Sequence, residues 1–597
     1  MLKRLKSVSM LLFLMGASTG AAYAVANPGV ADVKITQQTG TCTGIVKDAT
    51  GEGVIGASVV VKGTTNGTIT GLDGDFSLSN VKEGDIIVIS FVGYATQEIK
   101  WTGKPLDVLL KDDTQLLGEV VVTALGMKRE EKALGYAVTE LKSEELYTNT
   151  VNPVASLQGK VAGVEISNSD GGIFGSAKIQ IRGASTLGSN NQPIYVVDGV
   201  ILDNSTQGRD MDGEEIDAID YGNELKNLNP DDFETVSVLK GAAATALYGS
   251  RGLNGAVVIT TKGGGKFKGF GVDVTQTLGI DHAYKQPGIQ TVYGPGARPG
   301  RIGYGENGNT WIPTYYTNAK GEPSLIGAST LGWGLPYDSS VMIEDYDGRK
   351  VPYSPIKNNM LDMYQLGFNT NTNVSVRGGN EKTSFYSSVS YKKVNATTPN
   401  NTFERYAFLV KGSHKISDRV DVAASVSFAN SKPRNAARAV GEYFYQGLTP
   451  LYDAKYYRDK YLSEQGGIAR SGDTYANVPE SSKSYWFNID NMDYNRKETV
   501  VRPILEVNVK IADWVRFKGE GNMNYVYIRE ENKELGTGVA YEGGNYKLAQ
   551  QTKEQTTFAG TFTFDKAIKD FNLGGFIRGE YYNNYQTAYS VETDGLI

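Results

Sequence analysis

Cysteine and histidine are scarce in this sequence. Its 597 residues include one cysteine and two histidines, His282 and His414, which lie far apart in the chain. A single cysteine excludes an intramolecular disulfide framework, and the three residues together leave little room for a zinc or copper site. The same scarcity argues against Ser/His/Asp and Cys/His catalytic sets. We therefore expect no enzymatic activity, no metal and no cofactor.

Positive charge is not in excess either. The chain has 60 Lys and Arg residues against 66 Asp and Glu residues, for a formal net charge of −6. A protein dedicated to nucleic-acid binding is normally basic, so that class of function is disfavoured. Glycine is abundant, at 71 residues without a collagen period, which predicts many turns and closely packed strands.

Residues 1–24 have the three parts of a secretory signal peptide. Lys3, Arg4 and Lys6 are the positive region, an apolar run containing Leu11–Met15 follows, and Ala22-Tyr23-Ala24 is an A-x-A cleavage site. The apolar run is too short for a membrane anchor, and no later run reaches 18 apolar residues. We therefore predict an exported chain that is either soluble or a β-barrel.

Residues 41–112 predict a small β-sandwich. Short runs of alternating polarity are separated by turn residues such as Asn66-Gly67 and Asp73-Gly74, a pattern typical of a compact antiparallel sandwich. In the region 116–126 that follows, the apolar strand Val120-Val121-Val122 stands alone between polar segments. Two interpretations remain open for it: an internal sheet edge, or a strand added to a sheet of another protein.

Residues 131–265 mix helical and strand patterns and predict a compact α+β domain. Asn152 and Pro153 suit the cap and first position of a short helix. Residues 270–597 differ, because apolar and polar residues alternate over segments of about ten residues or more, as in Val420, Val422, Ala424, Val426 and Phe428. Long strands with one apolar face are typical of a transmembrane barrel.

Nine strands can be placed in this last region. We predict them near residues 270–284, 371–379, 383–395, 402–413, 418–430, 497–511, 514–529, 545–566 and 571–587. The connections alternate between short links, such as 380–382, and very long ones at 285–370 and 431–496. Outer-membrane barrels show this alternation, with short periplasmic turns and longer extracellular loops.

A series of motifs follows in order along the α+β region: SLQGKVAGV (156–164), IRG (181–183), QPIYVVDGV (192–200), NPDDFE (229–234), YGSRGLNG (248–255) and ITTK (259–262). With these motifs, residues 41–265 closely resemble the SusC/RagA family of TonB-dependent outer-membrane transporters of Bacteroidetes. The resemblance implies a mainly β architecture. It consists of an N-terminal Ig-like, carboxypeptidase-regulatory-like β-sandwich at 41–112, an α+β plug domain at 131–265, and the first part, about nine strands, of a 22-stranded transmembrane antiparallel β-barrel at 270–597.

The resemblance also implies partners and a location. The segment Glu119, Val120, Val121, Val122, Thr123 and Ala124 matches the TonB box, which pairs with the inner-membrane-anchored energy transducer TonB. A SusD-like surface lipoprotein is expected as a lid over the barrel. The chain is expected in the outer membrane of a Gram-negative cell, in contact with membrane lipid, with the sandwich and the TonB box in the periplasm.

Aromatic residues are frequent in the long connections. They include Trp311, Tyr315, Trp333, Tyr445 and Trp486. Such rings suit stacking against sugars or peptides. An interfacial girdle or packing inside the loops is an equally good interpretation.

The function predicted from these features is import of oligosaccharides or other oligomeric nutrients, and the sequence does not specify the substrate. The alternatives are a peptide importer of the RagA type, a siderophore-type receptor, a signal transducer, and a non-transporting surface barrel or adhesin. Because nine strands cannot close an antiparallel barrel, we expect the chain to be a fragment that neither closes nor transports alone.

Overall fold

The computed structural model describes residues 40–48, 51–64, 66–91, 94–110, 120–122, 128–130, 138–146, 150–168, 172–183, 191–204, 220–241, 248–265, 269–296, 317–326, 332, 334–436, 448–568 and 571–593. The chain divides into two compact units, residues 1–118 and residues 119–597, which are described separately.

The first unit is a β-sandwich of two sheets. Its strands are β1 (Gly40–Lys47), β2 (Ser58–Val61), β3 (Gly67–Ile69), β4 (Asp75–Val81), β5 (Ile86–Ser90), β6 (Gln97–Lys100) and β7 (Leu106–Leu109). One sheet has the order β4-β1-β7, with β1 and β7 parallel, and the other has the order β3-β2-β5-β6. Alternate residues such as Val59, Ile87 and Ile89 are fully buried between the sheets, together with the free thiol of Cys42.

The second unit begins with a short hairpin. Strand β8 (Val120–Val122) pairs antiparallel with β9 (Lys128–Glu130). The apolar strand that stands alone in the sequence therefore has a local partner, as the interpretation of an internal sheet edge requires. This pairing does not test the other interpretation, addition to a sheet of another protein. In the described part of the chain β8 pairs along one edge only.

The α+β domain, which the resemblance identifies as a plug, is built on a five-stranded sheet with the order β10-β15-β16-β13-β14. The strands are β10 (Val138–Lys142), β13 (Ile194–Val197), β14 (Val200–Leu202), β15 (Phe233–Leu239) and β16 (Ala256–Thr261), and a separate hairpin contains β11 (Val164–Asn168) and β12 (Ala177–Ile181). Only β13 and β16 pair in parallel among these described strands. Apolar side chains of the sheet, the hairpin and the short helices form one core.

The helices of this domain that lie wholly within the described residues are short and of 3₁₀ type. They comprise Ser143–Glu145, Pro153–Leu157, Gly172–Phe174, Glu224–Asn227, Pro230–Asp232 and Gly249–Gly252. The short helix predicted at Pro153 is present, and the Asn152 side chain accepts a hydrogen bond from the Val154 amide at 3.1 Å. Between β13 and β14 the chain reverses at Asp198 and Gly199, which both have positive φ (46° and 88°), as a two-residue hairpin turn requires.

Nine long strands form one antiparallel sheet with the order β17-β20-β21-β22-β23-β24-β25-β26-β27. They are β17 (Gly269–Asp281), β20 (Gly367–Gly379), β21 (Thr383–Asn395), β22 (Thr402–Lys415), β23 (Val420–Arg434), β24 (Met492–Ala512), β25 (Val515–Glu534), β26 (Asn545–Ile568) and β27 (Phe571–Glu592). Each predicted strand is present. The observed strands are longest in the second half, where β24, β25, β26 and β27 have 21, 20, 24 and 22 residues.

The two faces of this sheet differ in polarity. The inner face, which contacts the plug domain, includes buried polar residues such as Asn371, Asn373 and Ser390. The outer face exposes apolar residues, among them Leu278, which is 76% exposed, and Leu505, which is 53% exposed. The period of two along each strand produces this division, as in a barrel wall with lipid on one side.

The connections at one end of the sheet are short and those at the other end are long. The short ones are 380–382, 416–419, 513–514 and 569–570, and the longer ones are 282–366, 396–401, 435–491 and 535–544. The two longest contain a hairpin of β18 (Asp338–Glu344) and β19 (Lys350–Tyr353), a 3₁₀ turn at Leu361–Met363 and the helix α1 (Glu480–Asn491), and a 3₁₀ turn at Val539–Tyr541 lies in 535–544. Several described aromatic side chains of these connections, among them Tyr353, Tyr457 and Phe487, pack in one core.

No helix in the described ranges is long and apolar enough to cross a membrane.

Candidate functional site: the plug domain against the inner face of the sheet

One polar segment of the plug domain is entirely buried. We call residues 223–232 the anchor segment; every side chain in it is buried, although the segment includes two Asp, a Glu and a Lys. Two 3₁₀ turns shape it, and the side chain of Asn223 accepts a hydrogen bond from the Leu225 amide at 3.2 Å. Buried charges of this kind are tolerated only when they are paired and hydrogen-bonded, so the partners of these side chains define the site.

The first half of the anchor segment forms ion pairs with β24. The Glu224 carboxylate lies 3.2 Å from the Arg502 guanidinium and accepts a hydrogen bond from the Asn524 amide at 3.0 Å. The Lys226 ammonium lies 2.8 Å from the Glu498 carboxylate. Both pairs connect residues that are far apart in the sequence. Glu224 and Arg502, for example, are separated by 278 positions.

The Glu498 carboxylate is fully satisfied by these contacts. Besides Lys226, it accepts hydrogen bonds from the Asn227 amide at 2.9 Å and from the Arg496 guanidinium at 2.6 Å. Three charge-assisted or amide donors offset the free-energy cost of removing water from the Glu498 carboxylate and from its cationic partners.

The second half of the anchor segment contacts β20 and β21 through amides and carboxylates. The Asn371 amide donates to Asp231 at 2.6 Å, and the Tyr386 hydroxyl donates to Asp232 at 2.9 Å. Nearby, the buried Arg405 guanidinium donates to the main-chain carbonyls of Lys226, at 3.0 Å, and of Leu228. The contact between the anchor segment and the sheet is therefore built largely from charge-assisted hydrogen bonds, and an apolar cluster that includes Phe174 of the plug and Phe403 of the sheet lies beside it.

Burial perturbs the titration of the anchor segment. Loss of water raises the pKa of Asp231 and Asp232, although neighbouring donors and Arg405 act in the opposite direction. Burial likewise raises the pKa of Glu224, against the pull of Arg502, and lowers the pKa of Lys226. The interface thus holds carboxyl groups whose charged form is costly.

A second contact joins the motif at 248–255 to the inner face of the sheet near its β27 edge. Arg251 lies 2.5 Å from Glu580, and Glu580 lies 3.0 Å from Arg578, which in turn lies 2.5 Å from Glu520. The Arg251 guanidinium also stacks 4.9 Å from the ring centroid of Tyr582. The guanidinium of Arg251 is thus held by side chains of the sheet.

A cavity of about 200 Å³ lies between the plug domain and the sheet, toward the end with short connections. Lys411 reaches across beside it, 3.3 Å from Asp198 and 3.1 Å from the Thr261 hydroxyl. The cavity is lined by both charged and apolar groups, including Asp198, Tyr248, Lys411, Glu506, Lys518 and Glu520. The interface is therefore incompletely packed at this end.

The predicted TonB box is only partly visible. Val120, Val121 and Val122 form β8, while Glu119, Thr123 and Ala124 lie outside the described residues. The structure thus gives a strand to the centre of the segment and does not address its ends.

Of the five loop aromatics predicted as ligand contacts, one lies in the described chain. Trp486 is 1% exposed, with the Arg458 guanidinium 4.3 Å from its ring centroid and the Tyr485 ring at 4.8 Å. Its ring is not accessible to a ligand here, because it lies in the shared core of the long connections. This agrees with the interpretation that the aromatic residues pack inside the loops. Trp311, Tyr315, Trp333 and Tyr445 lie outside the described residues.

Several residues of the interface were not predicted. The sequence pattern predicts the inner-face residues only as the polar face of their strands, and it predicts no partner for the anchor segment. A dense run of amides and charges around Pro230 is the one local signal. In the described ranges no group of His, Cys, Asp and Glu side chains is placed to hold a metal ion.

Known families match the first part of the chain in the same order as its domains. Residues 42–122 match the CarboxypepD_reg-like domain, and residues 130–256 match the TonB-dependent Receptor Plug Domain. Over 400 residues the chain is 35% identical to the TonB-dependent receptor SusC of Bacteroides thetaiotaomicron, an alignment that covers 66% of this chain and 34% of that protein. The chain belongs to the SusC-like TonB-dependent receptors.

A second relative of this SusC-like receptor is also a TonB-dependent receptor. The chain is 26% identical over 463 residues to the TonB-dependent receptor P26 of Formosa agariphila, covering 76% of this chain and 39% of that protein. The alignments with SusC and P26 thus span between a third and two fifths of those relatives.

Solved structures share the fold. The RagAB peptide importer in its open-open state superposes with a TM-score of 0.58 at 18% identity, over 80% of this chain and 50% of that one. Its closed-closed state gives a TM-score of 0.56 at 19% identity, over 78% and 49%. The predicted mainly β fold is confirmed, with an N-terminal sandwich, a plug domain and part of a barrel. The family and the barrel fold indicate the outer membrane.

Proposed function

We propose that this SusC-like chain acts in an energised outer-membrane importer of oligosaccharides or other oligomeric nutrients. The observation that carries the proposal is the buried polar contact between the anchor segment and the inner face of the sheet. Where ion pairs and amides hold the plug, they can exchange their partners for water when it moves. Such an interface suits a gate.

TonB supplies the force in this proposal. The segment Glu119–Ala124 binds TonB by β-addition, in which main-chain hydrogen bonds provide the grip. Pairing of β8 with β9 along one edge supports this, because the other edge of β8 can accept an added strand. In the proposed orientation the sandwich, the TonB box and the short connections are periplasmic, and the long connections are extracellular.

The external side captures the ligand. A SusD-like lipoprotein covers the long connections, and Trp311, Tyr315, Trp333 and Tyr445 stack against the oligomer. Burial of Trp486 supports leaving that residue out of the ligand surface. The aromatic composition of the connections fits both sugars and peptides.

A proline substitution tests TonB coupling. Val121→Pro removes a main-chain donor from β8 and disfavours an added strand. Val121→Ile keeps the main-chain donor and the strand preference of the segment. We expect whole-cell uptake of a labelled oligosaccharide to fall to the level of a strain lacking TonB in the Pro variant and to be unchanged in the Ile variant. Surface labelling verifies equal amounts of receptor, and normal uptake by the Pro variant would rule the assignment out.

The substrate class needs a separate experiment. A strain without this receptor is grown on a panel of polysaccharides and peptides as sole nutrients. Loss of growth on one glycan, restored by the gene, supports glycan import. Loss confined to peptides would replace the oligosaccharide with a peptide substrate.

A further inference from the structure

The outer face of the sheet carries a row of charged residues that are in register across five strands. Each of the five strands β21–β25 can be followed along its outer face from the end with short connections. The first charged residue met on each strand lies opposite the first one met on the next strand. These residues are Lys393, Glu404, Lys432, Lys497 and Arg529. We call this set the basic row.

Strand register brings these side chains together. Lys393 is paired with Glu404, Glu404 with Lys432, and Lys497 with Arg529. Ser431 pairs with Glu498 and Arg434 pairs with Asn495 in the same register, which sets Lys432 opposite Lys497. Because neighbouring strands lie about 4.8 Å apart, Lys432, Lys497 and Arg529 form a continuous cationic surface across three strands.

The basic row lies directly beyond the apolar part of the wall. One step toward the short connections, the same face carries Tyr391, Tyr406 and Tyr527, and the rings of the first two are 4.7 Å apart. One step further are apolar residues, among them Phe428 and Val501. Tyrosine marks the border between membrane and water in such walls, so the basic row stands at the head-group level.

The positive charge of the row is not balanced by the protein. Lys393 has Glu404 at 3.4 Å, which leaves Lys432, Lys497 and Arg529. Arg529 has only Glu531 at 3.9 Å, which Lys533 shares at 3.2 Å, and the adjacent Arg434 pairs with Asp493 at 2.7 Å. In the described chain neither Lys432 nor Lys497 has a carboxylate within 4.0 Å, and like charges in opposed positions repel.

We propose that Lys432, Lys497 and Arg529 bind the phosphate group of a phosphorylated glycolipid in the outer leaflet of the membrane. This rests on the membrane placement in the proposed function. The phosphate, with a charge of about −1.5 to −2, offsets more than half of the charge of the three cations. The lipid chains lie on the apolar band below, and the long Lys and Arg stems reach up along that band. Each basic residue near an anionic lipid surface strengthens binding by about fivefold, so three together contribute about 100-fold.

Lipid binding to the purified full chain tests the proposal. The probe is a phosphorylated lipid A, titrated into receptor in lipid-free detergent and followed by native mass spectrometry, with dephosphorylated lipid A in parallel. The variant Lys432→Gln/Lys497→Gln/Arg529→Gln removes the cations, and Lys432→Arg/Lys497→Arg/Arg529→Lys retains them. Lys320→Gln/Lys357→Gln/Lys455→Gln removes the same charge from exposed positions in the long connections.

We expect affinity for phosphorylated lipid A to fall about 100-fold in the first variant and to remain within a few fold in the other two. The dephosphorylated lipid should bind the native receptor as weakly as the first variant binds the phosphorylated one. Equal losses in the first and third variants, or equal affinity for the two lipids, would overturn the proposal. The measurement needs neither TonB nor a nutrient, so its failure is distinct from a failure of transport.

Discussion

Trp486 shows how a residue of the expected type can have a different role from the expected one. Its ring is enclosed by Tyr485, Arg458 and the rest of the loop core rather than presented to solvent. Arg458 is itself held by Asp490, with two hydrogen bonds of 2.7 and 2.6 Å. The cation over the ring is thereby fixed in place, so Trp486 stabilises the long connections.

Substitution of Trp486 should therefore destabilise the loop core. We expect Trp486→Ala to cost about 3–5 kcal/mol, the usual effect of emptying a buried aromatic site. The measurement is the rate at which a protease added to intact cells cleaves residues 448–491. Tyr293→Ala, at a position 49% exposed in the same set of connections, serves as the control and should leave that rate unchanged. Cleavage at the native rate in the Trp486 variant would contradict the role in packing.

At the scale of elements, the anchor segment carries a pH dependence. Burial raises the pKa of Asp231 and Asp232, so the folded state binds protons more tightly than the unfolded chain does. Stability from this source is fully present below the ordinary carboxyl pKa of about 4 and is lost as the pH rises through the raised values.

This dependence can be measured by thermal unfolding. We expect the midpoint of the plug transition to decrease between pH 4.5 and pH 7, and to decrease less in Asp231→Asn/Asp232→Asn. Glu165→Gln changes an exposed carboxyl on β11 and should retain the native slope. A slope that is the same in all three proteins would show that these carboxyls do not titrate with unfolding.

Elements with a local signal were predicted well, and contacts between distant elements were not. The nine strands follow from a period of two that each segment carries in itself, and the turn at Asp198-Gly199 follows from its residue types. The pairing of Glu224 with Arg502 spans 278 residues and leaves no mark on either segment alone. The pairing of β8 with β9 was missed because Lys128–Glu130 is a charged run with weak strand preference.

At the scale of the whole molecule, the apolar outer face below the basic row is the part that meets lipid. On β24 it includes Leu505, Val507, Val509 and Ile511, all on one face, and the strand continues well past it. A strand crosses the apolar layer in about 9–11 residues, so 21 residues carry the wall beyond the membrane on the side of the long connections.

A charge placed in this band tests the membrane assignment. Leu505→Arg should destabilise the chain in lipid vesicles by about 2–4 kcal/mol, because the guanidinium lies in the apolar layer. Asn495→Arg, on the same strand and face but beyond the basic row, should cost about 0–1 kcal/mol. Urea unfolding in vesicles compares the two. Equal costs would mean that this face does not lie in lipid.

The amides and hydroxyls on the inner face have a consequence that extends beyond holding the plug domain in place. Asn369, Asn371, Asn373, Ser388 and Ser390 form a polar strip on two adjacent strands. In the proposed import, withdrawal of the anchor segment leaves a strip that is readily wetted, so water replaces each lost partner without a dewetting barrier. We propose that the lining that seals the resting receptor then becomes a hydrated path for a hydroxyl-rich solute.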